Sequence, residues 1–81
     1  MNYPKLRSAF PLENHRLLPE YANGEKRVYD FTPNLMHKFY KPLQDAALFA
    51  RVSVNDGEIE WATGQDFCPH TLYEKSIPAA M

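Results

Sequence analysis

HRLLPEYANGEKRVYDF, residues 15–31, carries the strongest local instruction in the chain. At its centre Asn23-Gly24 joins two residues that tolerate positive φ, which a two-residue type I′ turn requires, and the twist of that turn suits antiparallel strands. The stretch therefore reads as a β-hairpin closing on that dipeptide. Counting outward, Ala22 faces Glu25, Tyr21 faces Lys26, Glu20 faces Arg27, Pro19 faces Val28 and Leu18 faces Tyr29. This register opposes the charges of Glu20 and Arg27 and makes an apolar pair of Leu18 and Tyr29, contacts worth about 0.2–1 kcal/mol each. It also sets Pro19 at a non-hydrogen-bonded site, so the first strand is an edge or its second neighbour stops short of Pro19.

Upstream, residues 5–10 alternate polar and apolar side chains and Leu12-Glu13-Asn14 reads as a turn, which predicts a three-stranded meander. Downstream, Thr32-Pro33 predicts the start of a short helix, with Thr as cap and Pro as first residue. Pro42 ends it, because the residue before a proline is pushed out of the helical region. Asp45 then caps a brief helical turn through Phe49. Residues 51–61 form a second hairpin on Asp56-Gly57, with Val52, Val54, Ile59 and Trp61 on one face and Ser53, Asn55, Glu58 and Glu60 on the other. Residues 66–74 predict a short terminal helix with Pro69 near its start, and residues 1–4 and 76–81 are expected to fray. The expected fold class is α+β: a small single domain, with an antiparallel sheet built from an N-terminal strand and two β-hairpins, and two or three short helices.

Composition limits what such a fold can be. With 81 residues, 44% of them hydrophobic, the chain makes one domain, and a domain of that size buries roughly 60–65% of its unfolded surface. Five Tyr, five Phe and one Trp make so small a core feasible. A single Cys excludes a disulfide framework and a Cys-rich zinc site, and no apolar run approaches a membrane span. The expectation is a soluble, cytoplasmic protein without a membrane association. Residues 1–41 hold seven Lys and Arg against four acids, and residues 42–81 hold two against six, so the halves carry +3 and −4. Such a bipolar surface either is simply solvated or recognises a partner.

Motifs for chemistry are sparse. Cys68 near a helix start with His70 beside it is the one arrangement resembling an activated thiol, but residues two apart on a helix do not face each other. His15, His37 and His70 lack the spacing of a helical metal pair, and the three glycines all sit in turn contexts, leaving no phosphate loop. No metal, cofactor or catalytic residue is expected. Tyrosines among the N-terminal cations are the feature that keeps single-stranded nucleic acid in view as a partner.

The run RLLPEYANGEKRVYDFTPNL, then FYKPLQDAALFARVSV, then EIEWATGQDFCPHTLYE resembles the small bacterial family known as domain of unknown function 2442 over nearly the whole chain. The elements that carry the resemblance are the Asn-Gly turn followed by Tyr29-Asp30, residues 43–49, and Trp61, Gly64 and Asp66 leading to Pro69 and Tyr73. Pro19 within a strand, Ala46 after the aspartate and Cys68 at a capping position depart from the pattern. The resemblance implies an α+β domain of two hairpins and short helices, with no established catalytic residues. It also implies a gene often beside that of another small protein, as in toxin–antitoxin pairs.

Together these readings predict a non-enzymatic protein-interaction module. An accessory nucleic-acid-binding role is the alternative, and a small enzyme using Cys68 and His70 the third. The expected partner is a small protein, with the product of an adjacent gene as the candidate, docking on an edge strand or on a basic surface made of Lys26, Arg27, Arg16 and Glu20. Asn23, Gly24, Asp56 and Gly57 are expected to act as structural turns.

Overall fold

The structure is a computed structural model that describes residues 3–79. Three strands, β1 (Leu6–Leu12), β2 (Arg16–Tyr21) and β3 (Arg27–Asp30), form the expected meander, and a two-residue β7 (Ile77–Pro78) adds to β3. A second antiparallel sheet contains β4 (Val52–Asn55), β5 (Glu58–Trp61) and β6 (Asp66–Phe67). Between the sheets run two 3-10 helices, Thr32–Met36 and Lys38–Gln44, and α1 (Ala46–Phe49), while α2 (Pro69–Lys75) returns the chain to the first sheet. The fold is α+β, with the two hairpins in separate sheets.

The second hairpin has the register read from its sequence: Val52 opposite Trp61, Ser53 opposite Glu60, Val54 opposite Ile59 and Asn55 opposite Glu58. Asp56 and Gly57 both have positive φ, as a type I′ turn demands. Ile59 and Trp61 are buried, and the Trp61 indole donates a 2.9 Å hydrogen bond to the Phe49 carbonyl.

The first hairpin is slipped by one residue. Leu17 pairs with Tyr29, Arg16 with Asp30 and Glu20 with Lys26. The Gly24 amide donates to the Tyr21 carbonyl and the Tyr21 amide to the Glu25 carbonyl, so three residues make the loop. Gly24 alone in that loop has positive φ. The geometry is a type I turn followed by a left-handed bulge residue, and the expected two-residue turn on Asn23-Gly24 is corrected accordingly. Asn23 serves the loop through its side chain, whose oxygen accepts from the Glu25 amide at 3.0 Å.

Pro19 explains the next irregularity. Tyr21 and Glu25 form a hydrogen-bonded pair, so in the same register Pro19 meets Arg27 two positions on, where its missing N–H faces β3 and not outward. The ladder opens there, between Leu17–Tyr29 and Glu20–Lys26. β2 is accordingly an inner strand, paired with β1 along its length, and it is the neighbour β3 that loses contact at Pro19. Arg27 and Val28 pair with Pro78 and Ile77 on their other side. Residues 76–79 are therefore ordered, not frayed as expected, because they supply the partner strand for β3. Tyr3 is likewise packed, stacking on His70 at 5.2 Å. Residues 1, 2, 80 and 81, also expected to fray, lie outside the described residues.

The helical connection passes through Pro42 where the sequence predicted a break. Pro42 cannot donate to the Phe39 carbonyl three residues back, and Gln65 Nε2 does so in its place at 3.3 Å. Asp45 caps α1 as expected, accepting from the Ala47 amide at 2.8 Å, whereas Thr32 makes no capping bond. Residues 66 and 67, expected to open the last helix, instead form β6 against β5. Phe31 is the centre of the core. Its fully buried ring lies 5.1–5.7 Å from those of Tyr40, Trp61, Phe67 and Phe49, so it joins both sheets to the connection between them. Burying such a ring contributes about 1.5–3 kcal/mol.

Candidate functional site

The slipped register redistributes the four residues nominated as a partner surface. Arg16, Glu20 and Lys26 share the outer face of the first sheet, while Arg27 falls on the inner face with Leu17, Tyr21 and Tyr29. Arg27 is no longer available to a partner. Its Nη1 donates to Glu25 Oε2 at 2.6 Å, its Nε to Ser76 Oγ at 2.6 Å and its Nη2 to the Ser76 carbonyl at 2.8 Å. The guanidinium also lies 4.5 Å from the centre of the Tyr73 ring, and the Tyr73 hydroxyl donates to the same Glu25 carboxylate at 3.0 Å. Hydrogen bonds from Arg27 and then Asn23 hold the Glu25 carboxyl below the usual range. This cluster fastens α2 and β7 to the first hairpin. Arg16 is exposed and donates to the Glu13 carbonyl at the opposite end of the hairpin from Lys26, so the nominated cations do not converge.

The edges of the first sheet offer little to an incoming strand. Residues of β1 alternate in direction, and since Phe10 and Leu12 bond toward β2, Pro11 turns its donorless nitrogen to the outer edge. At the other end of the sheet the two-residue β7 includes Pro78. Prolines so placed blunt edge pairing.

The helical connection behaves differently. Its two 3-10 helices bury only Leu35 and Leu43, which leaves Met36 87% and Phe39 49% exposed. Lys38 and Lys41 stand beside them, also exposed, and neither forms an ion pair among the described residues. No Asp or Glu occurs from residue 31 to residue 44. Residues 36–41, MHKFYK, are thus a ledge of apolar and cationic side chains held from below: Tyr40 donates to the Asp66 carbonyl and Gln44 to the Leu35 carbonyl. The sequence signal was present, since Met36 and Phe39 lie in a stretch too broken by proline and basic residues to bury every apolar position. A reading of residues 32–41 as a short helix alone does not use that signal.

Cys68 and His70 do not form a pair. The thiol is exposed at the start of α2, and hydrogen bonding from the Thr71 amide and hydroxyl lowers its pKa. The imidazole stacks on Tyr3, and its Nε2 lies 3.0 Å from Glu74 Oε2, one helical turn on. Among the described residues no group of three His, Cys, Asp or Glu is placed to hold a metal ion. A groove of about 490 Å³ lies between the β1–β2 turn and α1 and is mainly apolar. Its His15 is already engaged with the Gln44 carbonyl at 3.1 Å. No helix among the described residues is long and apolar enough to cross a membrane.

The family model described as Protein of unknown function (DUF2442) matches residues 6–78. The chain belongs to that family. The match runs from the first residue of β1 to the last of β7, so the Arg27 cluster and the 36–41 ledge are both inside the DUF2442 unit. Neither the curated proteins nor the solved structures contain a match to the chain.

Proposed function

We propose that this DUF2442 chain is a non-enzymatic, cytoplasmic protein-interaction module, one member of a bacterial gene pair of toxin–antitoxin type. The observation that carries the reading is the ledge. A small domain with little apolar surface to spare leaves Met36 and Phe39 in water beside two unpaired lysines, and exposed apolar groups rimmed by charge are characteristic of partner surfaces. With Arg27 engaged by Glu25 and Ser76, this reading takes the connection, not the first hairpin, as the docking face. The test is co-expression with the product of the neighbouring gene, followed by titration across ionic strength. A stoichiometric complex whose association slows with added salt is expected. Failure of the two proteins to associate at any salt concentration overturns the reading.

A second reading has one observation in its favour: Phe39 is half exposed between Lys38 and Lys41, an aromatic ring among cations of the kind on which unpaired bases stack. Binding of an oligothymidine with a steep salt slope, in the absence of a protein complex, selects it.

A further inference from the structure

We infer that the 36–41 ledge receives an acidic amphipathic α-helix of the partner, with paired carboxylates on Lys38 and Lys41 and an apolar stripe on Met36 and Phe39. The inference rests on the interaction-module reading and adds the chemistry of the partner.

Spacing is the first argument. Lys38 and Lys41 lie three apart within one 3-10 helix, where residues i and i+3 eclipse and rise about 2.0 Å each, so the two side chains leave one line about 6 Å apart. An α-helix puts residues i and i+4 on one face at the same interval, about 6 Å, since each residue rises about 1.5 Å. Acids at i and i+4 of a partner helix therefore meet both ammonium groups at once. Arg27 and Lys5 differ in that Glu25 and Asp56 already neutralise them.

The apolar half of the ledge supplies the second argument. Exposed Phe39 stands a third of a turn from the line of the lysines in the same 3-10 helix, and exposed Met36 ends the helix before it, so an incoming face needs apolar groups beside its acids. Methionine is unbranched and adapts to a partner's shape, which suits reception of helix anchors at three- and four-residue spacing. An extended strand spaces alternate residues similarly. Away from a sheet edge, however, it would bring unpaired backbone groups onto an apolar surface, and the ledge lies in the helical connection, outside both sheets. A helix bonds its own backbone and needs no edge.

The test is an NMR titration of the ¹⁵N-labelled full chain with a synthetic helical peptide of about 18 residues, Leu at three- and four-residue spacing and Glu pairs at i and i+4 beside them. A Lys-for-Glu peptide and an oligothymidine serve as comparisons. Shifts confined to residues 36–41 and their packing neighbours are expected, with about tenfold weaker binding in the Lys38→Glu/Lys41→Glu variant and in the Lys peptide. Both lysines are exposed, so the variant should stay folded, and its amide spectrum reports whether it does. Shifts on another face, equal affinity for the two peptides, or binding of the oligothymidine alone overturns the inference. So does self-association that the double variant abolishes, since the occupant would then be the acidic hairpin of a second copy. A complex with the neighbouring gene's product that the double variant leaves undiminished removes this inference and keeps the module reading, whereas no complex with the native chain removes that reading.

Discussion

Asn23-Gly24 and Asp56-Gly57 are nearly the same dipeptide at the tips of two hairpins, yet one closes a three-residue loop and the other a two-residue loop. In the second hairpin the turn and the apolar pattern agree: a type I′ turn on Asp56-Gly57 brings Val54 to Ile59 and Val52 to Trp61. In the first they conflict. A two-residue turn pairs even-numbered residues of β2 with odd-numbered residues of β3, which sets Glu20 beside Arg27 and Leu18 beside Tyr29. The residues that need burial are Leu17, Pro19 and Tyr21 on one strand and Tyr29 on the other, all odd. One extra loop residue reconciles them. A slip of one residue would turn every side chain of a strand to the wrong face, which costs far more than the difference between two turn types.

The largest effect that probes this comparison lies in the hairpin where turn and pattern agree. Trp61→Ala removes a buried ring and its bond to Phe49 and is expected to cost about 3–5 kcal/mol, enough to unfold much of so small a domain. Far-UV circular dichroism through a urea titration measures it, and a midpoint within error of the native protein would show that the second sheet does not depend on this ring.

Arg27→Met comes next and tests the slipped register directly. With Arg27 on the inner face, the change leaves the Glu25 carboxylate and the Ser76 carbonyl short of donors and should cost about 1–3 kcal/mol. Amide exchange should accelerate at Ala79, whose N–H bonds the Lys26 carbonyl. Under the two-residue register Arg27 would be a surface cation and the same change would cost under about 0.5 kcal/mol.

The two tips themselves separate by about 1 kcal/mol. Asp56→Ala places an ordinary residue at positive φ and should cost about 1–2 kcal/mol. Asn23→Ser keeps a side-chain acceptor at a position of negative φ without placing a second carboxylate beside Glu25, and should stay within about 0.5 kcal/mol. Equal costs in thermal melts would return Asn23 to a left-handed position and restore the two-residue turn.

The smallest effect is on pH dependence. Because the folded pKa of Glu25 is depressed, its contribution is fully present above the unfolded value near 4.5 and disappears as pH falls through the lower folded value. Stability measured from pH 6 down should therefore fall less steeply in Glu25→Gln, although that variant begins lower. Parallel curves would mean that the Arg27 cluster does not hold Glu25 ionised.

The sequence made the second hairpin fully legible, because Asp56-Gly57 and four alternating apolar residues state one answer. It also contained what was needed for the first, since Glu20 and Asp30 both belong in water and only an odd-length loop puts them on one face. A register set by the turn dipeptide against the alternation is off by one residue and puts Arg27 on the outer face, where the structure has it on the inner one. β6 and β7 were not legible for a different reason. Two-residue strands carry no period of their own, and they form only because β5 and β3 present open edges to them. The passage of the connection through Pro42 depended on Gln65, more than twenty residues away, which no local pattern reveals.

The grip of Arg27 on Ser76 spans 49 residues of chain. Either hairpin tip can form within microseconds of its own residues being free, but the first sheet is complete only when the residue at position 76 arrives to occupy a guanidinium placed near the start. A chain that lacks residue 76 onward leaves the Nε and Nη2 of Arg27 without their acceptors and the outer edge of β3 bare. Truncations made to map the ledge should therefore keep residues 76–79, or the loss of binding they report will be the loss of the first sheet.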